Sequence, residues 1–522
     1  MLQDRRNSDS STPSSSMHNP AWGFILLFIV LLFQASGVKA ATNTLDFPTV
    51  DQITYRCYSE HKWDSVILVG KKALRQNIDY YYLRVRLGVA YFEKHQYFSA
   101  TTHFVRARKF NSGDPFVTDY LYRSYLFTNR PEEARLLKAS IPPDERDSTR
   151  SKHGFLEQVH FESGYTLSSD RAPKNLATLM ENDSIYGEQD LYGNNIYENL
   201  GLKLRISNRV GLTMAYNYLN FSKTKYFQYG RTEAHRDTII YNIFINDTIS
   251  RDYLYSYPWK IHDTSFHYHI SQHEAYLGAT LTLPWGLKVL PAFHWINVSY
   301  TKINPSYRTD SVSDTAFYSY IDNTYHLFRY PSLVYSFNET DTSFNNFVAA
   351  LRISKELGRF SIALAGSWSN LNGKKQKQIG ISLTYYPLGN LNFYGTTAVT
   401  GFFQGKDKRL LLSQILGAKI TPWMWGELNF YYGDYTNANI FNGAIVYNNS
   451  DFIDYRGGAT MLFAVGKHIQ LSLIYQYFRK ESQQLYYIKT QDPVTHEINE
   501  IPQIKNNPYN TNTIIGGITW KL

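Results

Sequence analysis

From residue 154 to the end of the chain, tight connections and long ones take turns. The tight ones are Ser207-Asn208-Arg209, Pro284-Trp285-Gly286, Glu356-Leu357-Gly358, Leu388-Gly389, Pro422-Trp423-Met424 and Gly466-Lys467. The long, polar ones fall near 168–194, 223–268, 303–342, 437–451 and 481–509, with 371–375 and 404–408 as shorter members of the same set. Short turns at one edge and longer loops at the other are what a sheet crossing a membrane needs.

The segments between these connections have a period of two. Leu200, Leu202, Leu204 and Ile206 alternate with Gly201, Lys203 and Arg205; Ile379, Ile381, Leu383 and Tyr385 alternate with Gly380, Ser382 and Thr384. Such runs last about 11–14 residues, against the ~5–6 usual in soluble sheets. Lipid solvates no backbone polar group, so a spanning sheet has to close on itself. The pattern predicts an antiparallel transmembrane β-barrel of about 14 strands, an even number as single-chain bacterial barrels have. The strands are expected near 154–166, 195–206, 210–222, 270–283, 286–302, 343–354, 359–370, 376–387, 390–403, 409–421, 425–436, 452–465, 468–480 and 510–522. The chain ends on an alternating strand, with Ile518, Trp520 and Leu522 on one face. That strand is expected to pair with the first. Its apolar face looks like the terminal signal read by the barrel-assembly machinery, with Leu522 in place of the more common Phe.

Residues 47–142 have the spacing of helices instead. Leu87, Gly88, Tyr91, Tyr97, Ala100, Phe104 and Ala107 place small residues where two helices approach and aromatics beside them. A step of 34 residues carries Leu87 to Leu121, Tyr91 to Tyr125 and Ala100 to Ala134; a step back carries Ala107 to Ala73 and Tyr97 to Trp63. This spacing resembles the tetratricopeptide repeat, whose stacked units form a concave surface for peptide or protein segments. A plain helical spacer is the alternative. Asp144 to Lys152 is charged and poor in apolar residues, and reads as a linker.

Near the start, residues 21–33 form an apolar run too short for a membrane helix and suited to a signal-peptide core. Val38-Lys39-Ala40 fits a cleavage site, and no cysteine follows that would take a lipid. The polar stretch before Met17 is long for a signal peptide, which leaves Met1 and Met17 both open as the start. The expected organisation is therefore a signal peptide at 1–40, a periplasmic helical domain with its linker at 41–150, and the outer-membrane barrel at 151–522.

Signal peptide, periplasmic repeats and barrel together resemble the surface lipoprotein assembly modifiers and, more distantly, the exopolysaccharide export porins. The resemblance is one of architecture, with no family-specific motif in the barrel. It implies that the repeats receive a periplasmic protein or an exported polymer and deliver it to the pore. A passive porin, or a structural or adhesion protein, is the competing reading. Net charge is +9 over 522 residues, a modest excess that points to no nucleic acid. The single cysteine, Cys57, excludes a disulfide framework, and no cofactor is implied.

Strand parity aims Lys203, Arg205, Lys288, Arg352, Lys419 and Arg456 into the lumen, along with Glu162 and Glu427. These cations would make a vestibule attractive to an anionic solute or polymer, or a structural network of ion pairs. His267, His269 and His273 share one side of a strand and are weak candidates for a metal. An enzyme would need more than His160 and Glu162, which share a face with Gln158; no nucleophile motif accompanies them.

Overall fold

The computed structural model describes residues 45–140, 154–170, 184–232, 235–241, 250–256, 259–313, 317–319, 324–326, 329–448, 450–491 and 498–522. The expected signal peptide and the linker at 144–152 lie outside the described residues.

Six helices come first: α1 (Phe47–Ser59), α2 (Trp63–Arg75), α3 (Tyr81–Glu93), α4 (Tyr97–Phe110), α5 (Pro115–Phe127) and α6 (Pro131–Ala139). They form three hairpins that begin at 47, 81 and 115, a recurrence of 34 residues. The residue two positions past the first helix of each hairpin recurs in step: His61, His95 and Asn129 all have positive φ. Leu87, Ala100, Phe104 and Ala107 are fully buried and share one core. Gly88 lets α3 and α4 approach, since a Cβ there would lie 2.5 Å from the Phe104 ring.

Fourteen antiparallel strands then close a barrel. They are β1 (Leu156–Ser168), β2 (Ser184–Arg205), β3 (Val210–Thr232), β4 (Trp259–Leu283), β5 (Leu287–Ser313), β6 (Arg329–Leu357) and β7 (Phe360–Ser369). The other half is β8 (Gln376–Tyr385), β9 (Phe393–Gln404), β10 (Asp407–Thr421), β11 (Met424–Tyr432), β12 (Phe452–Val465), β13 (Ile469–Gln491) and β14 (Ile498–Lys521). The seam pairs β14 with β1, with Ile518 opposite Phe161 and Trp520 opposite Val159. A last backbone bond runs from Leu522 N to the Glu157 carbonyl at 3.0 Å.

The outer face is a lipid face. Leu200, Leu277, Trp295, Leu351, Leu364, Ile379, Leu428, Leu473 and Ile514 are each 42–65% exposed, and such a band of bare apolar side chains is stable only against hydrocarbon. The chain is an outer-membrane β-barrel. Among the described residues no helix is long and apolar enough to cross a membrane.

The wall is uneven in height. Strands β2 to β6, β13 and β14 run 22–29 residues, while β7 and β8 have 10 and β11 has 9. At ~3.3 Å per residue the longest covers about 95 Å along its own axis, far more than the ~30 Å hydrocarbon layer. Much of the sequence expected to be loop is thus strand that rises beyond the lipid. At the top, Tyr186, Phe227, Phe266, Ile303, Tyr335 and Phe337 cluster, and β13 joins β2 above the end of β1, with Gln484 opposite Gln189.

The helices dock on the short-turn end. Phe98 of α4 stacks on Tyr386 at 4.0 Å, and its amide donates to the Gly389 carbonyl at 3.0 Å. Arg359 donates to Ser99 Oγ at 3.1 Å and also to Gln96. Asn390 Nδ2 donates to the His95 carbonyl at 2.9 Å.

A lumen crossed by its own chain

The stretch 437–451, between β11 and β12, is expected to be an outer loop. It turns into the barrel instead. Its tip is a small hairpin in which Asn439 pairs with Val446 and Ile440 with Ile445. Phe441, Asn442 and Gly443 turn the corner with φ of 51°, 58° and 80°, a run that Asn and Gly tolerate best.

Polar side chains on the wall hold this segment at both ends and at its tip. Near β9 and β10, Tyr435 Oη donates to the Leu412 carbonyl at 2.9 Å and Asn437 Nδ2 to Gln404 Oε1 at 3.1 Å. At β7 and β8, Asn439 donates to Ser367 Oγ at 2.9 Å and to Gln378 Oε1 at 2.7 Å, and Gln378 Nε2 returns a bond to the Asn439 carbonyl at 3.2 Å. Across the lumen, Asn442 Nδ2 donates to the Leu290 carbonyl at 2.9 Å, and His294 Nδ1 lies 2.7 Å from the Gly443 carbonyl oxygen. Asn448 Nδ2 donates to Asn346 Oδ1 at 3.0 Å. The feet are tied as well: Asp434 pairs with Arg409, and Tyr509 Oη donates to Asp451 Oδ2 at 2.5 Å. The contacts thus reach from β10 round to β5, and the segment spans the bore.

The six basic lumen candidates do not form one vestibule. Lys203 and Arg205 face Glu157 at 3.8 and 3.9 Å, and Lys288 reaches Glu132 of α6 at 3.4 Å. These three neutralise acids where the helices meet the barrel; Arg135 of α6 adds a pair to Glu157 at 3.0 Å. Lys419 lies over the Trp425 ring at 5.1 Å. Arg456 is wedged between Tyr431 and Phe478, at 4.7 and 5.3 Å, and donates to Tyr447 of the crossing segment. Arg352 lines a cavity together with Asn439, Phe441 and Asn442 of the segment. Its guanidinium donates to Ser382 Oγ at 3.2 Å.

The three histidines share the outer face of β4, each with its own partner on β3. His267 meets Thr224 at 3.1 Å, His269 meets Asn220 at 3.0 Å and His273 meets Tyr216 at 2.7 Å. Among the described residues no group of His, Cys, Asp and Glu is arranged to hold a metal. His160 packs over Gly201, and Glu162 accepts from Tyr197 Oη at 3.4 Å.

Sequence reasoning missed His294, Gln378 and Asn439, because it left the crossing segment outside. One signal was present. Ile440, Phe441, Ile445 and Val446 are an unusual apolar load for a connection otherwise rich in Asn.

No family model and no curated protein matches the sequence. Solved structures similar in fold include a Pseudomonas aeruginosa FadL homologue, at 7% identity and TM-score 0.36, covering 70% of this chain and 90% of that one. They also include the Pseudomonas putida toluene transporter TodX, at 6% and 0.32, covering 69% and 88%. The Acinetobacter baumannii outer membrane protein Omp33 matches at 9% and 0.29, covering 71% and 100%. The expected resemblance to surface lipoprotein assembly modifiers and export porins is corrected here: no family model and no curated protein of either kind matches the sequence, and a segment of the chain itself lies in the lumen where an open delivery pore was expected. Delivery of a lipoprotein or exopolysaccharide to the pore is corrected with it.

Proposed function

We propose that the protein is a passive outer-membrane channel for small solutes, with segment 434–451 as its constriction. The observation that carries this reading is the tie between the segment tip and the far wall, through Asn442 and His294. A segment held this way narrows the bore without filling it, and its polar lining keeps the remaining path wet. The 34-residue recurrence of the helical hairpins supports reading them as tetratricopeptide units. Their docking on the short turns, which face the periplasm in barrels of this kind, supports a periplasmic position. There they would cover the inner mouth rather than hand over cargo. The outward face of Ile518, Trp520 and Leu522 supports recognition by the barrel-assembly machinery.

The test is swelling of proteoliposomes in sugars of increasing size. The full chain should pass a pentose and exclude a tetrasaccharide. A variant with residues 437–448 replaced by a short Gly-Ser linker should pass both. Failure of both proteins to pass the pentose, with the barrel folded, removes the channel reading.

A further inference from the structure

Five of the six basic lumen residues are matched with a carboxylate or an aromatic face. Arg352 is not. Among the described residues it has no acid within ion-pair distance, and Ser382 Oγ accounts for one of its five N–H donors. It faces a cavity of about 130 Å³ between the wall and the crossing segment. Burying a guanidinium without a counter-ion costs free energy that a bound anion would return.

We propose that this cavity is a subsite for a small organic monocarboxylate, gripped by Arg352. The proposal rests on the small-solute reading and names the class of solute. The planar fork of Arg352 matches the two oxygens of a carboxylate, and Ser382 stands beside it. A single cation suits one negative charge. Part of the remaining lining is apolar, with Ala350, Ala398, Leu411 and Phe441 facing the space, and the rest is uncharged, including Gln378, Tyr431 and Tyr435. A cavity of ~150 Å³ holds a benzene-sized molecule, so the carboxylate's body is a single ring or a short chain. Asn439 is committed to Ser367 and Gln378, which leaves the guanidinium to set the charge preference.

The experiment measures binding of benzoate and of benzamide to the detergent-solubilised full chain by calorimetry. Benzamide has the same shape without the charge. Benzoate should bind at least about tenfold more tightly than benzamide, the scale of one charge-assisted bidentate contact. Arg352→Gln should abolish that difference, Arg352→Lys should restore part of it, and Lys203→Gln should leave it intact. Equal binding of the two probes, or an undiminished preference in Arg352→Gln, overturns the proposal. If Arg352→Gln loses heat-modifiable migration, Arg352→Lys decides: a preference unchanged from the parent counts against the fork, a reduced one for it. Pentose swelling is scored separately. Arg352-dependent benzoate binding without pentose flux upholds the subsite and overturns the channel.

Discussion

His294 on β5 holds the carbonyl oxygen of Gly443, at the tip of the crossing segment, 2.7 Å from its Nδ1 atom. The imidazole is fully buried, and its other nitrogen lies 3.3 Å from Glu274 Oε2. Glu274 is fixed in turn by Asn217 at 2.7 Å and Gln272 at 2.5 Å. The tip is therefore held by a histidine that sits against a polar cluster drawn from neighbouring strands β3 and β4.

His294→Ala should loosen that tip. Losing a bond to a buried group costs ~1–3 kcal/mol, which raises the fraction of time spent detached about five- to over a hundredfold. Single-channel recording in planar bilayers should show more frequent excursions to a larger conductance. Conductance noise identical to the parent's would mean that the tip is held elsewhere.

Phe98→Ala should undock the helices. Phe98 is 2% exposed and stacks on Tyr386, and truncating a buried Phe costs ~3–5 kcal/mol. Limited trypsin treatment should separate helical domain from barrel faster than in the parent, while the barrel keeps its heat-modifiable migration. Unchanged cleavage would show that Arg359 and Asn390 suffice.

Gly88→Val should disrupt the pairing of α3 with α4, because its Cβ would meet the Phe104 ring at 2.5 Å. Overpacking of this kind costs ~1–3 kcal/mol. Hydrogen exchange in residues 81–110 should accelerate while exchange in β7 to β10 stays as it was. An unaltered pattern would mean that the ring swings aside freely.

His103 should make the helical domain acid-sensitive. Burial and the neighbouring Arg84 push its pKa down from 6.5 to about 3. Arg84 Nη1 sits 3.1 Å from His103 Nδ1, and the ring stacks on Tyr91 at 5.2 Å. The unfolded chain takes up a proton near pH 6.5 and the folded one does not until about pH 3. Stability is therefore full above 6.5 and falls as pH drops through that window, by up to ~1.4 kcal/mol per unit. Asp79, lowered mainly by its bond to Arg84, and Glu132, raised by burial but lowered overall by the neighbouring Lys288, act below their ordinary values of 3.8 and 4.5, so pH 5 to 6.5 isolates the histidine. Exchange of residues 81–110 should rise over that range and flatten in His103→Gln. The same pH dependence in both proteins would assign it to another group.

The strands were legible because each crosses from water through lipid to water, and lipid enforces contrast between faces. Ile379 and Gly380 differ as sharply in exposure as in character. The upper halves of β3 and β6 were read as loop because the contrast fades there: Lys225 and Tyr226, or Asn338 and Glu339, offer no apolar side to follow. The helical spacing was legible from Gly88 and Ala100, which only close approach of two helices explains. The crossing segment was not legible in the same way. Its partners, Gln378 and His294, lie some 60 to 150 positions away in sequence, and nothing local marks such a pairing. The charge of Arg352 was visible; its lack of an acid partner was not, because pairing is a property of the closed lumen.

The crossing segment also carries information about the order of manufacture. Leu290, His294, Asn346, Ser367, Gln378, Gln404 and Leu412, which hold its first foot, its tip and Asn448, precede it in the chain; Arg456 and Tyr509, which tie its second foot, follow it. The seam is made by β14, the last strand. The wall that receives the segment therefore exists while the sheet is still an open trough. Entry after closure would have to pass the aromatic crowd at the rim. The obstruction is laid in place before the cylinder is shut, like a ship's engine lowered in before the deck is plated.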